Sequence, residues 1–175
     1  PAENVARQFT ITRARADGFA LQSHRRACQS QNARLFDQEI CPITTANGDI
    51  FARDEGPRSD TSLEKLAALP PAFLDGGTVT AGNACPLNDG ASAVLVTSLA
   101  MARRLQAPDV LAYAGGASAG VDPNILGIGP VASTRKLLAR QPELSPDAAQ
   151  FIEFNEAFAA QVLASLDALG IDETK

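Results

Sequence analysis

The stretch FIEFNEAFAAQ, residues 151–161, sets an amide, Asn155, and a carboxylate, Glu156, among aromatic and small apolar residues. A neutral amide in such a setting can donate or accept a hydrogen bond without itself titrating, while a carboxylate can only accept unless its pKa is raised. The sulfur chemistry open to the chain rests on Cys28, Cys41 and Cys85, and its base chemistry on the single histidine, His24. A nucleophilic thiol needs a neighbouring base or cation to ionise it. Cys85 has no cation beside it in sequence and reads as a small hydrophobe in a loop of small residues. His24 and Cys28 lie four apart on a predicted helix and could face one another, although one such pair reads more simply as surface beside core. The odd cysteine count, without metal-type spacing, and the lone histidine leave no zinc set and imply a reducing, cytoplasmic setting. Asn88-Asp89-Gly90 is turn chemistry.

The elements that must position these groups can be read along the chain. Residues 2–9 suit a short helix, and Thr12 suits the cap of a longer one through residue 33. Residues 38–45 read as extended, and Asn47-Gly48 is a hairpin turn signal because both residues tolerate positive φ. Residues 53–60 are loop. Thr61 and Glu64 have capping-box spacing before a short helix to residue 69, which Pro70-Pro71 stops. Residues 78–80, 91–97 and 110–114 read as strands, the second apolar enough to be buried on both faces. Residues 99–106, 130–140 and 155–169 read as helices, with another short one from Ser145-Pro146 and Gly170 as the last helix's stop. In this reading Asn155 is the N-cap of its helix and Glu156 complements the helix dipole. Strands alternating with helices after residue 78 give an α/β layered architecture, with residues 1–70 more irregular and helical.

Composition bounds the partners. The chain has 175 residues, 45% of them hydrophobic, and a net charge of −5, which argues against nucleic acid. The charge is uneven: residues 1–40 carry six Arg against four acids, +2, and residues 141–175 carry seven acids against Lys175, −6. A polyanionic ligand therefore belongs nearer the first part. No apolar run approaches the roughly 20 residues of a membrane helix, and no secretory signal opens the chain. The loops 76–94 and 115–130 and the stretch 155–161 are rich in small residues that admit a ligand or second backbone closely. None matches a phosphate loop or a dinucleotide fingerprint.

Taken together, these stretches resemble the thiolases, enzymes that make or cleave 3-oxoacyl-CoA thioesters. The resemblance is carried by AENVA (2–6), ITR (11–13), DGFALQSHRRA (17–27), Arg58, PAF (71–73), GTVTAGN (77–83), NDGA (88–91), GVDP (120–123), GIGP (127–130) and NEAF (155–158). It implies a thiolase-like layered α-β-α-β-α fold, present here incompletely. Residues 1–77 would be the end of the N-terminal region and the loop domain, 78–107 the return into the N-terminal core domain, and 108–175 the first part of the C-terminal core domain.

The resemblance also implies roles. Asn155 would hold a water that forms part of an oxyanion hole for a thioester oxygen, a task that needs a neutral, already oriented group, and Glu156 would support that network. Ala157 and Phe158 would line the acyl pocket, with Leu126 near the reacting acyl group. Arg58 would lie near the phosphates of coenzyme A, and Leu69, Phe73, Ala81, Ala84 and Cys85 would flank its pantetheine arm. Coenzyme A and acyl-CoA enter as substrates, with no permanently bound cofactor and no metal, in a homodimeric or homotetrameric parent. At Lys65 and Cys85 the family commonly carries a hydroxyl residue, which weakens the expected pantetheine contacts at this loop.

None of the family's nucleophilic cysteine, catalytic histidine or second cysteine has a match among Cys28, Cys41, Cys85 and His24. The chain thus reads as the middle portion of an acyl-CoA C-acyltransferase, inactive as these 175 residues alone. The alternatives are a non-catalytic module that binds acyl-CoA or lipid, and an interaction piece that docks onto a chain carrying the missing parts.

Overall fold

The computed structural model describes residues 1–108 and 110–174. Helix α1 (Ala2–Gln8) ends in a left-handed residue, Thr10 at φ 57°, after which the Ile11 N–H returns to the Ala6 carbonyl at 2.8 Å. That turn frees Thr12 to cap α2 (Arg13–Asn32), whose Oγ1 accepts from the Arg15 N–H. Only Ala16, Asp17, Ala20 and Leu21 of α2 are buried, one stripe in its first half. A hairpin follows, β1 (Ile43–Thr44) antiparallel to β2 (Ile50–Phe51), with Ile43 opposite Phe51 and Gly48 at φ 88° in the turn. Short α3 (Leu63–Ala67) and α4 (Leu99–Arg104) are each capped by a serine, Ser62 and Ser98. A 3-10 segment (Pro123–Ile128) runs into α5 (Gly129–Arg140), a second 3-10 turn spans Pro146–Ala148, and α6 (Ala159–Leu169) ends at left-handed Gly170.

Helix α6 is the centre of the molecule. Its residues 159–166 are all buried, and a helix apolar around its whole circumference must be enclosed rather than laid on a surface. Ala159, Ala160, Leu163 and Ala164 pack with Val5 and Ala6 of α1, Ile11, and Ala16 of α2, and Phe9, Phe19, Ile125 and Ile128 close the edges. The many alanines let these helices approach closely. A smaller cluster joins Ala20 and Leu21 to Leu66 of α3, with Leu69 beside it.

Several expectations are corrected. The last helix starts at Ala159, not at residue 155, and Phe158 occupies its N-cap position in an extended conformation with no side-chain cap bond. The reason is competition: the Cys85 N–H donates to the Ala157 carbonyl at 3.0 Å and the Ala159 N–H to the Asn83 carbonyl at 2.9 Å. These bonds hold residues 157–159 extended, so Asn155 is not a helix cap. In α3 the cap is Ser62, accepting from the Lys65 N–H, rather than Thr61.

Among the described residues the named sheet has two strands. Residues 78–80 contribute one bridge, Pro71 to Thr80, and residues 91–97 and 110–114 are unpaired. Strand propensity describes a surface that fits a sheet and does not supply the neighbour. Val94, Leu95 and Val96 accordingly stand 86%, 75% and 87% exposed.

Candidate active site

The loop 80–85 is suspended from three helices. Asn83 is buried; its Oδ1 accepts from the Thr80 N–H, and its Nδ2 donates to the Thr78 carbonyl and to Asp17 Oδ1. Asp17, also buried, accepts at its other oxygen from Arg13 Nε at 2.8 Å, and Arg13 Nη2 donates onward to the Leu66 and Leu69 carbonyls at the end of α3. Burying a carboxylate is tolerable only when it is paired and hydrogen-bonded, as here. Glu3 of α1 accepts from the Thr78 and Val79 N–H groups at 2.9 and 2.8 Å. At Gly82 the backbone passes so close to α3 that a Cβ would meet Leu66 Cδ2 at 2.5 Å and Leu69 Cδ1 at 2.6 Å.

This loop in turn grips the segment before α6 through the bridge between Ala84 and Phe158. Phe73 supports the joint, its ring meeting that of Phe158 edge-on at 6.4 Å. Two neighbouring residues of α2 complete the surroundings. Ser23 Oγ donates to Glu156 Oε2 at 2.5 Å, and His24 Nδ1 accepts from the Arg58 backbone N–H at 3.2 Å.

Two depressions lie on either side of residues 155–158. The first, about 850 Å³, is bounded by Ser23, His24, Gly56, Ala84, Cys85 and Glu156. The second, about 760 Å³, is bounded by Leu126, Leu138, Phe154, Ala157, Phe158 and Gln161 and is mostly apolar. Asn155 lines both and is exposed. Its amide thus sits on the wall between a groove of mixed polar and apolar lining and an apolar one, free to meet a ligand group that crosses from one to the other.

The site residues expected from the sequence divide accordingly. Ala84, Cys85, Asn155 and Glu156 line the first groove, and Leu126, Asn155, Ala157 and Phe158 the second. Phe73 reaches the second groove's wall through Phe158, whereas Arg58, Leu69 and Ala81 line neither. Leu69 instead backs the Gly82 turn, and Arg58 meets the first groove through its backbone on His24. Ser23, Asp17 and Asn83 were not anticipated. Their signal lies in helical spacing: Asp17, Ala20, Ser23 and His24 share one side of α2, an arrangement visible only once the partner of that side is known.

The electrostatics are mixed. Burial pushes the His24 imidazole below its ordinary pKa and the Arg58 charge pushes it further, while Glu156 opposes both. Cys28 is half-buried, Cys41 and Cys85 are exposed, and none is hydrogen-bonded to His24. No nucleophile and base pair is therefore assembled among the described residues. Among them, too, no group of three or more His, Cys, Asp or Glu side chains could hold a metal ion, and no helix is long and apolar enough to cross a membrane.

The chain superposes on solved structures of one class of α/β proteins, those of the thiolase fold. The chain belongs to the thiolase family: residues 1–100 match the thiolase N-terminal domain and residues 108–175 the thiolase C-terminal domain. It is 44% identical to an acetyl-CoA acetyltransferase of Cupriavidus necator over 99% of its own length and 45% of that protein's. It superposes on the dimeric peroxisomal thiolase of Saccharomyces cerevisiae with a TM-score of 0.90 at 40% identity, covering 98% of this chain and 43% of that one. On human mitochondrial 3-ketoacyl-CoA thiolase in complex with CoA the TM-score is 0.87 at 37% identity, covering 99% and 44%. The chain spans less than half the length of the relatives it matches. The expected fold class therefore holds for a part of that fold.

Proposed function

We propose that this chain supplies the acyl-CoA-binding and oxyanion-supporting part of an acyl-CoA C-acyltransferase that cleaves 3-oxoacyl-CoA by thiolysis or forms it by Claisen condensation. The observation that carries the reading is the position of Asn155, held by the Ala84–Phe158 bridge on the wall between a groove of mixed lining and an apolar one. In thiolysis a thiolate adds to the 3-oxo carbon, and as the bond between C2 and C3 then breaks, its electron pair is delocalised onto the oxygen of the departing thioester, an enolate until C2 is protonated. A water held by the Asn155 amide would donate to that oxygen without reorganising. Glu156, accepting from Ser23, would keep the segment's orientation and take no part in proton transfer. The acyl chain would enter between Leu126, Ala157 and Phe158, and the pantetheine arm would pass Ala84 and Cys85, backed by Leu69, Phe73 and Ala81, with the Arg58 charge toward its phosphate end.

The acyl-enzyme cysteine, its base and the α-proton acid-base group are roles that none of Cys28, Cys41 and Cys85 is placed to fill. The 175 residues alone would therefore not turn over and would bind acyl-CoA weakly or not at all. The enzyme would work in a reducing compartment, cytoplasmic or organellar, as a homodimer or homotetramer; the dimeric yeast relative supports the assembly. The test is Asn155→Ala in the enzyme at the length of its relatives, assayed by thiolysis of acetoacetyl-CoA. A fall in kcat of about 10² to 10³ supports the oxyanion role. An unchanged kcat removes it.

A further inference from the structure

Ser23 and His24, consecutive on α2, hold two of the segments that form the first groove: Ser23 through Glu156, which lines it, and His24 through the backbone of Arg58, which follows the lining residues 54–57. The second bond has a chemical peculiarity. A backbone N–H can only donate, so His24 Nδ1 must be unprotonated to receive it, and the proton of the neutral ring must sit on Nε2. We infer that His24 is a positioning residue, a proton-sensitive latch that fixes the 54–58 wall of the groove when neutral and releases it when protonated. Protonation would set an N–H on Nδ1 against the Arg58 N–H and place an imidazolium beside the arginine charge, so bond and field fail together.

The groups around the ring favour this use. Arg58 on its own loop opposes the charged ring, and Glu156 of the segment before α6 favours it. Asp54 and Glu55 stand on the 54–58 wall, Asp89 and Cys85 on the 83–89 loop, and Cys28 one turn further along α2. Burial is the largest influence and favours the neutral ring, so the latch is closed at neutral pH and opens on acidification below the ordinary imidazole range. Asp54, Glu55, Gly56 and Pro57 line the groove directly, so releasing their anchor changes the shape presented to a ligand. The consequence for ligand binding rests on the acyl-CoA reading above; the latch itself does not.

The experiment therefore has two arms. In the first, nitrogen-resolved NMR of the His24 imidazole and the Arg58 amide is followed across pH on the protein, with His24→Asn identifying the signals. The expected result is the Nε2–H tautomer at neutral pH, a midpoint below 6.5, and an Arg58 amide that shifts with the same midpoint. An Nδ1–H tautomer, or an Arg58 amide indifferent to the titration, overturns the latch. In the second, coenzyme A is titrated above and below that midpoint into the enzyme at the length of its relatives. Wild type should lose about 3- to 10-fold in affinity on acidification, the worth of one hydrogen bond. His24→Asn, whose Oδ1 occupies the Nδ1 position but does not titrate, should show no such loss, and His24→Leu should be weak at both pH values. An equal pH response in wild type and His24→Asn overturns the latch's control of binding. Absence of coenzyme A binding at any pH, with the first arm intact, overturns the acyl-CoA reading and leaves the latch standing.

Discussion

Asn83 hangs the small-residue loop from Asp17: its Nδ2 donates to the buried carboxylate at 2.9 Å, across 66 positions of sequence. The same amide closes the Thr80 turn and satisfies the Thr78 carbonyl, so one side chain fixes both the shape of the loop and its attachment to α2. Asn83→Ala would leave a buried carboxylate short of a donor and two backbone groups unmet. The expected cost is about 3 kcal/mol, measured as a lower urea midpoint at unchanged m-value. Asn83→Asp should cost more, since it sets a second carboxylate against Asp17. A variant as stable as wild type would mean that water replaces the amide.

Gly82 tests the close approach of this loop to α3. A methyl there would meet the ends of Leu66 and Leu69 at 2.5 and 2.6 Å, and these side-chain ends can yield only by repacking the cluster around buried Leu66. Gly82→Ala should destabilise by about 1 to 3 kcal/mol. Shortening the neighbour relieves the clash, so the double variant with Leu66→Ala should be less unstable than the sum of the two single changes. Strict additivity in that cycle would place the loop farther from α3 than described.

Much of this arrangement was legible in the sequence and some was not, for a physical reason that divides the two. The Thr12 cap, the Gly48 turn, and the Gly170 stop are local signals, and each acts where the residues place it. Asn155 failed as a local signal. Asn before an apolar helix is an N-cap by local rules, but the backbone of residues 157–159 is engaged by Asn83 and Cys85, more than 70 positions away. A pairing at that distance overrides capping preference and leaves no mark in the local pattern. The strand expectations at 91–97 and 110–114 failed for the opposite reason: the local preference is present, and no described segment pairs with it.

Arg15 gives the stability its acid dependence at the other end of α6. Its two Nη atoms donate to both oxygens of Asp167 at 2.6 and 2.8 Å, and one also reaches Glu173 at 3.2 Å. The guanidinium holds the Asp167 carboxyl below its ordinary value of 3.8, against a smaller opposing effect of burial. A carboxylate whose folded pKa is depressed contributes stability that is fully present above the unfolded value and is lost as pH falls through the folded one. The window therefore lies below about pH 4. Both side chains are about 40% exposed or more, so solvent screening limits the pair to under about 1 kcal/mol. Asp167→Asn should remove that part of the acid transition at low salt and make little difference at high salt; an equal effect in both would point to packing instead.

Residues 93–97, Ala-Val-Leu-Val-Thr, carry the last expectation. Val94 and Val96 would point to one face of a strand and Leu95 to the other, and all three are more than 70% exposed. A strand apolar on both faces suits the interior of a layered sheet. Left without neighbours it offers a row of open N–H and carbonyl groups beside apolar side chains, the features that template edge-to-edge association. The 175-residue chain should therefore scatter light increasingly with concentration, and amides 93–97 should exchange with solvent near the rate of an unfolded chain. Leu95→Lys should suppress the scattering at little cost in stability, because the side chain it replaces packs against almost nothing. Scattering unchanged by that substitution would move the sticky surface elsewhere, and the apolar groove beside Leu126 and Phe154 would be the next to charge.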